Sequence, residues 1–196
     1  MIRQIYGLPK DASWDGFMER FPILFQDRNK SMKVTCMCWG IECPIGWYYI
    51  LEQLCTILEF HNLEFKKNHG IAIVAEQVKE KYGTLRFYFS IRNVDENGIT
   101  IPFDKEQEEA SARVENEHRI AVDYLDMLAS KYIQEAEALT EKTCADCGGH
   151  DDIIVTKGWI TYLCKKCNEK REKEYEKQLE EIRKTDAKSA AGDAKV

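Results

Sequence analysis

Ile71-Ala72-Ile73-Val74-Ala75-Glu76-Gln77-Val78-Lys79-Glu80-Lys81-Tyr82-Gly83-Thr84-Leu85-Arg86-Phe87-Tyr88-Phe89-Ser90-Ile91 is the stretch on which the fold turns. Its first five residues are apolar and rich in β-branched side chains. Val78, Glu80 and Tyr82 then alternate with Lys79 and Lys81. Beyond Gly83-Thr84, Leu85, Phe87 and Phe89 alternate with Arg86, Tyr88 and Ser90. Period-two alternation on both sides of a glycine predicts an antiparallel hairpin. Asn97-Gly98 is a second turn signal, and Ile99-Thr100-Ile101 reads as a third strand. The expectation is a three-stranded antiparallel meander with Leu85–Ile91 at its centre.

The sequence before the hairpin supplies the layer that covers it. From about Pro44, the residues Trp47, Ile50, Leu51, Leu54, Leu58 and His61 recur at spacings of three and four, one apolar stripe of a helix. Gly70 suits the left-handed turn that ends it. Residues 1–30 read as irregular with one short helix, capped by Ser13 and broken by Pro22. Residues 31–45 read as a loop rich in Cys and Met. Residues 1–103 are thus expected to form an α+β core, a meander packed on helices.

Residues 104–143 read as one long acidic helix. Asp104 and Gln107 resemble a capping box, and Glu106, Glu108 and Glu109 favour the positive end of the helix dipole. Val114, His118, Ala121, Leu125, Leu128, Tyr132 and Leu139 form a narrow seam near a period of 3.5, suited to packing on the chain's own core or to pairing in a homodimer. This segment holds five Lys/Arg against eleven Asp/Glu, an excess equal to the net charge of −6 on the 196-residue chain. The molecule as a whole is therefore no electrostatic magnet for nucleic acid or acidic membranes. No apolar run approaches the roughly 20 residues needed to span a bilayer. Met1-Ile2-Arg3-Gln4-Ile5-Tyr6 lacks the features of a signal peptide, so we expect a cytoplasmic protein with reduced thiols.

The strongest chemical signal follows the long helix. Cys144-Ala145-Asp146-Cys147 and Cys164-Lys165-Lys166-Cys167 are two Cys-x-x-Cys pairs with sixteen residues between them. That spacing predicts a structural zinc site, in which four thiolates complete a tetrahedral shell and leave no position open for substrate. Ile153–Thr156 and Trp159–Tyr162 flank Lys157-Gly158 and read as a small hairpin. The second pair opens into a charged helix. Knuckle, hairpin, knuckle, helix is the order of a treble-clef or zinc-ribbon-like finger, placed at 144–184 with its helix. Residues 185–196 read as a disordered tail.

The remaining candidates are less specific. Cys36, Cys38, Cys43 and Cys55, with His61 and His69, are read mainly as packed thiols and imidazoles, with a second metal or a reactive thiol as alternatives. His61 and His118 fall on apolar faces. His150, next to the first knuckle, reads as a loop residue or a donor to the metal shell. Lys165, Lys166, Lys170, Arg171 and Lys173 are interleaved with glutamates, the pattern of a solvated helix more than of a basic stripe. No serine elbow, phosphate-binding glycine loop or His-Glu-x-x-His helix occurs, so the chain is read as leaning away from catalysis.

Cys36-Met37-Cys38-Trp39-Gly40-Ile41-Glu42-Cys43, Gly46-Trp47 with its apolar helix, Gln77–Tyr88, Ala136-Glu137-Ala138 and the four-cysteine finger form a recognisable series. This series, over roughly residues 20–167, resembles an uncharacterised family of small bacteriophage and prophage proteins. Pro44 and Thr84 stand where members of that family often carry glycine. The resemblance implies a phage-type accessory protein of the bacterial cytoplasm and implies no activity. Its distinctive blocks surround Glu42, Cys43, Trp47, Arg86 and Tyr88, which mark a candidate ligand or partner site between helix and hairpin. Three readings stay open: a zinc-stabilised protein-binding or regulatory module with a host or phage partner, a nucleic-acid-binding zinc-finger protein using the finger and the Arg86/Tyr88 face, and an enzyme or small-ligand binder with a pocket near Cys43, Trp47 and Arg86.

Overall fold

The computed structural model describes residues 1–102 and 112–193, and their side chains except at 112–115 and 186–193. Its regular elements are β1 (Ile41–Glu42), α1 (Tyr48–His69), β2 (Ile71–Lys81), β3 (Thr84–Asn93), α2 (Ala112–Thr140), β4 (Ile153–Val155), β5 (Tyr162–Cys164) and α3 (Lys165–Asp193). Short 3-10 turns at Met18–Arg20, Cys36–Trp39 and Ile45–Trp47 punctuate the N-terminal segment. The fold is α+β, with a three-stranded sheet packed on helices and a separate two-stranded sheet in the finger.

The sequence pattern of the hairpin is realised as β2 and β3, joined across Tyr82 and Gly83, whose φ angles of 56° and 80° suit a two-residue turn. The meander is not. β2, and not Leu85–Ile91, is the central strand, and the third strand is β1, which runs parallel to β2 with Ile41 opposite Val78 and Glu42 opposite Lys79. Ile99–Ile101 contributes only an isolated bridge between Thr100 and Val94. The reason lies in the edges. The Asp95–Ile99 turn closes on itself, with Asp95 Oδ1 accepting from the amides of Asn97 and Ile99 at 2.9 Å, so the chain leaves the sheet after one bridge.

A bulge at Ala75–Gln77 re-aims the second half of β2. Before it, Ile71, Ile73 and Ala75 face the core with Ile91 and Phe89. After it, Val78 takes that role opposite Phe87, so Gln77, Lys79 and Lys81 share the other face with Tyr88, Arg86 and Thr84. Because β1 is only two residues long, the upper edge of β2 needs other partners. Asn62 of α1 supplies them: its Oδ1 accepts from the Ile73 amide at 2.7 Å and its Nδ2 donates to the Ile73 carbonyl at 3.0 Å. The Ala75 amide donates to the Leu24 carbonyl at 2.8 Å.

α1 and α2 cover the core face of the sheet. Trp47, Ile50, Leu51, Leu54 and Leu58 are buried as the stripe predicts, and the stripe continues through Cys55 and Asn62 more than through His61. Gly70, at φ 65°, ends α1 and its amide donates to the Lys66 carbonyl at 3.0 Å. α2 lies antiparallel to α1, since His61 stacks on Tyr132 while Phe65 meets Tyr124. Its buried seam is Ala121, Leu125, Ala129, Ile133, Ala136 and Thr140. The alanines let the helix approach the sheet closely. His118 is exposed, contrary to its place on the expected seam, and Leu128 and Tyr132 are only partly covered. Asp104, Glu106, Gln107, Glu108 and Glu109 lie outside the described residues.

The N-terminal 40 residues form an irregular strap. Phe17, Phe21, Leu24, Phe25 and Met37 are buried in the main core. Two charged groups tie the strap down. Glu59 of α1 accepts from the amides of Ile23 and Leu24 at 3.0 and 2.9 Å. Asp27, 1% exposed, pairs with Lys30 at 2.6 Å and Arg92 at 2.7 Å. Burial pushes the Asp27 carboxyl up, but the hydrogen bonds and charges of Lys30 and Arg92 outweigh this and hold it below its ordinary value. α3 continues through Asp193, past Lys184 where the sequence pattern ended it.

Candidate metal centre

Thr140 and Thr143 end α2 and start the finger. The Thr140 hydroxyl donates to the Glu137 carbonyl at 2.6 Å and accepts from the Leu85 amide at 3.3 Å, so the helix end is pinned to the start of β3. The Thr143 hydroxyl donates to the Leu139 carbonyl at 2.8 Å. The next residue is Cys144. Its amide donates to the Gly149 carbonyl at 2.7 Å, and the Gly148 amide donates back to the Cys144 carbonyl at 2.9 Å, which closes the knuckle. β4 and β5 pair Ile153 with Cys164, Ile154 with Leu163 and Val155 with Tyr162, so the hairpin itself delivers Cys164 to the knuckle. Cys167 follows in the first turn of α3. This is the knuckle, hairpin, knuckle, helix order read from the sequence.

The Sγ atoms of Cys144, Cys147, Cys164 and Cys167 lie within 4.8 Å of one another, and those of Cys147 and Cys164 are 3.8 Å apart. Four thiolates about 2.3 Å from one zinc ion in a tetrahedron would be about 3.8 Å apart, so the donor set fits such an ion without rearrangement. The Cys167 amide donates to Cys164 Sγ at 3.4 Å, the amide-to-sulfur contact that stabilises a thiolate. Burial pushes the Cys144 thiol up, but backbone amides at Cys164, Cys147 and Asp146 outweigh it and hold the group below its ordinary value. Arg171 of α3 forks onto Asp146 in the first knuckle, with Nε donating to Oδ2 at 2.8 Å. Four protein ligands leave no open position, so the centre can hold a metal ion and cannot present one to a substrate.

The finger is seated on the core by backbone. The Gly46 amide donates to the Ala145 carbonyl at 2.8 Å and the Gly7 amide to the Gly148 carbonyl at 3.3 Å. A Cβ on Gly46 would overlap the carbonyls of Cys144 and Ala145. Gly83, at the tip of the β2–β3 hairpin, abuts Ile160 and Tyr162 of the finger. His150 makes no contact with the sulfurs that would give it a role in their shell. Its Nδ1 lies 3.0 Å from the Lys142 carbonyl and its Nε2 3.2 Å from the Ile5 carbonyl, so it staples the N-terminus to the end of α2.

The second candidate set is dispersed. Glu42, Arg86 and Tyr88 lie on the outer face of the sheet, Glu42 and Arg86 in one row with Lys79 between them. Trp47 belongs to the core, 1% exposed, and its indole N–H has no partner among the described residues. Burial, with the nearby Glu80 and Glu42, pushes the Cys43 thiol up, which disfavours the reactive thiolate. The Cys43 carbonyl accepts from Trp14 Nε1 at 3.0 Å. Arg86 donates to the Thr84 hydroxyl at 2.7 Å and the Leu85 carbonyl at 2.8 Å. Thus the Glu42–Trp47 block, which the sequence marks as distinctive, serves at Gly46 as the seat of the finger. Cys36, Cys38, Cys43 and Cys55 join no second metal-ligating group among the described residues, and Cys55 is buried.

Asn62, Glu59 and Asp27 escaped the sequence reading, and Gly46 entered it only beside Trp47, with no role as a seat for the finger. Asn62 had one usable signal, a polar residue four positions after Leu58 on an apolar stripe. Gly46 had another, a glycine at a helix start where the backbone needs no positive φ, which points to close approach. No helix among the described residues is long and apolar enough to cross a membrane. No model of a known protein family, no curated protein and no solved structure matches the chain.

Proposed function

We propose that this protein is a zinc-stabilised, phage-type accessory protein that works in the bacterial cytoplasm by binding another protein, with zinc as the ion held by Cys144, Cys147, Cys164 and Cys167. The closed sulfur shell supports a structural metal over a catalytic one. The observation that carries partner binding is a second apolar face on α2. The seam that could have paired two copies is consumed by the chain's own core. Outside it, Ile120, Tyr124 and Met127 recur at spacings of four and three, each more than half exposed. Phe60 and Leu63 are exposed on the neighbouring α1, at 61% and 52%. A cavity of about 740 Å³ lined by Phe65, His69, Ile120 and Tyr124 opens between the two helices.

Exposed apolar residues grouped in this way mark interaction surfaces. Glu117, Asp123 and Asp126 lie beside the α2 stripe with Arg119 and Lys131 among them. The small acidic excess favours a partner helix with apolar anchors and basic flanks over a second copy of this face. Capture from infected or expressing bacteria should recover one stoichiometric partner that cross-links to Ile120–Met127. A double substitution Ile120→Asp/Tyr124→Asp should lose it while the fold persists. Recovery of the protein alone, or equal capture by the variant, overturns the reading. Elemental analysis should give about one zinc per chain; full metal content in a Cys144→Ser/Cys147→Ser variant overturns the assignment of the ligands.

A further inference from the structure

The face of the sheet turned away from α1 and α2 has a different chemistry. The bulge in β2 places Gln77 opposite Tyr88, Lys79 opposite Arg86 and Lys81 opposite Thr84 on that face, while Val78, Leu85 and Phe87 go to the core. Lys79 Nζ lies 5.7 Å from the centre of the Tyr88 ring, and Lys81 Nζ lies 5.2 Å from that of Tyr82. Neither lysine is in an ion pair with a carboxylate among the described residues. Tyr88 and Tyr82 are 45% and 67% exposed. At about 3.3 Å per residue, the strand separates these two rings by roughly 15–20 Å.

The finger meets the hairpin at its tip. Gly83 touches Ile160, and the residues just before those two are Tyr82 and Trp159, the latter 80% exposed. At the other end, the segment Met32–Cys36 and the sheet border an open groove of about 580 Å³, lined by Lys33 and Lys79 beside Tyr88 and by the carboxylate of Glu76. Arg92 also lines it but is engaged by Asp27 and Glu76. Charge is segregated to match. Residues 153–168 hold three lysines and no carboxylate. Residues 76–92 hold four Lys/Arg and two carboxylates, Glu76, which pairs with Arg92, and Glu80, which accepts from the Gly83 amide, all in a chain of net charge −6. Glu42, opposite Lys79 on β1, is the one carboxylate in the central row.

We infer that this strip, from Lys33 and Tyr88 along Lys79, Lys81 and Tyr82 to Trp159, binds single-stranded nucleic acid. Exposed rings stack on unpaired bases, and the ammonium groups beside them take the phosphates. A duplex hides its base faces and cannot use the rings. The surface lies on the opposite side of the sheet from the helical face proposed for the protein partner, so the two readings can fail separately.

The test titrates the full zinc-loaded chain against a fluorescein-labelled 15-nucleotide oligothymidylate at low salt, with the same-length duplex and polyglutamate as competitors. Anisotropy should rise on binding, and neither competitor should displace the strand at equal concentration. Tyr88→Ala and Trp159→Ala should each weaken binding by about tenfold. Lys79→Ala/Lys81→Ala should lower the salt dependence by one to two phosphate contacts, about 0.7 in log–log slope for each. Glu42→Gln should tighten binding. The Ile120→Asp/Tyr124→Asp chain should bind the strand as the parent does. These side chains are exposed, so unchanged thermal melting will show that the variants fold. No binding at low salt, equal binding of the duplex, displacement by polyglutamate, or indifference to Tyr88 and Trp159 overturns the inference.

Discussion

The two β-hairpins of this protein touch at Gly83 and Ile160, yet they are held by different forces. β2 and β3 run for eleven and ten residues and turn a face of Ile, Val, Leu and Phe onto two helices. β4 and β5 have three residues each, and Ile154 and Val155 are exposed. The finger's own fully buried cluster is Cys144, Ala145 and Leu163. Burying one leucine contributes about 1.5–3 kcal/mol, whereas ordering each residue of the loop costs about 1–2 kcal/mol. Burial therefore accounts for the first hairpin and falls far short for the second. The same supersecondary motif stands on a hydrophobic core in one place and beside four converging thiols in the other.

Metal removal is the hardest test of that contrast. Structural zinc contributes on the order of 10 kcal/mol or more to small fingers. Chelation, or Cys144→Ser with Cys147→Ser, should abolish amide-exchange protection across 144–167 while Ile73, Val78 and Phe87 stay protected. Protection that survives in the finger would remove the distinction. Gly46→Ala comes next. Its methyl meets the Cys144 and Ala145 carbonyls, so we expect a loss of about 3–4 kcal/mol in thermal or urea unfolding with metal content retained. Stability within about 1 kcal/mol of the parent would mean that the two hairpins are not coupled through this seat.

Two substitutions sharpen the core side. Asn62→Leu leaves the amide and carbonyl of Ile73 without their partner and should cost about 2–4 kcal/mol in urea unfolding, with no change in metal affinity. Asp27→Asn should have a smaller, pH-dependent effect. The folded carboxyl sits below its ordinary value, so its contribution is present above the unfolded value near 3.9 and is lost as pH falls through the folded value. The parent should exceed the variant by about 1–2 kcal/mol at pH 7, and the gap should close as pH falls through the folded carboxyl's value. A gap that widens in acid would contradict the ion pair with Lys30 and Arg92.

The legible parts are those with a local cause. The β2–β3 hairpin follows from alternation about Gly83. α1 follows from its stripe, and the finger from its cysteine spacing. The sheet order was not legible, because a two-residue strand such as Ile41-Glu42 has no periodicity to read. Its pairing with Val78 and Lys79 depends on where the strap and α1 place it. The placement of the candidate site residues was not legible either. Glu42, Cys43, Trp47 and Arg86 form distinctive blocks, but their packing places them on different sides of the sheet.

The sequence by itself determined that four thiols would converge and that a hairpin would form, because ligand spacing and side-chain alternation act over a few residues. Long-range packing set the rest: the finger sits on Gly46 and Gly83, Asn62 completes the edge of β2, and the bulge in β2 puts Lys79 and Lys81 on the same outer face as Tyr88. Those outcomes depend on close approach between backbones far apart in the chain, and no local pattern encodes such a distance.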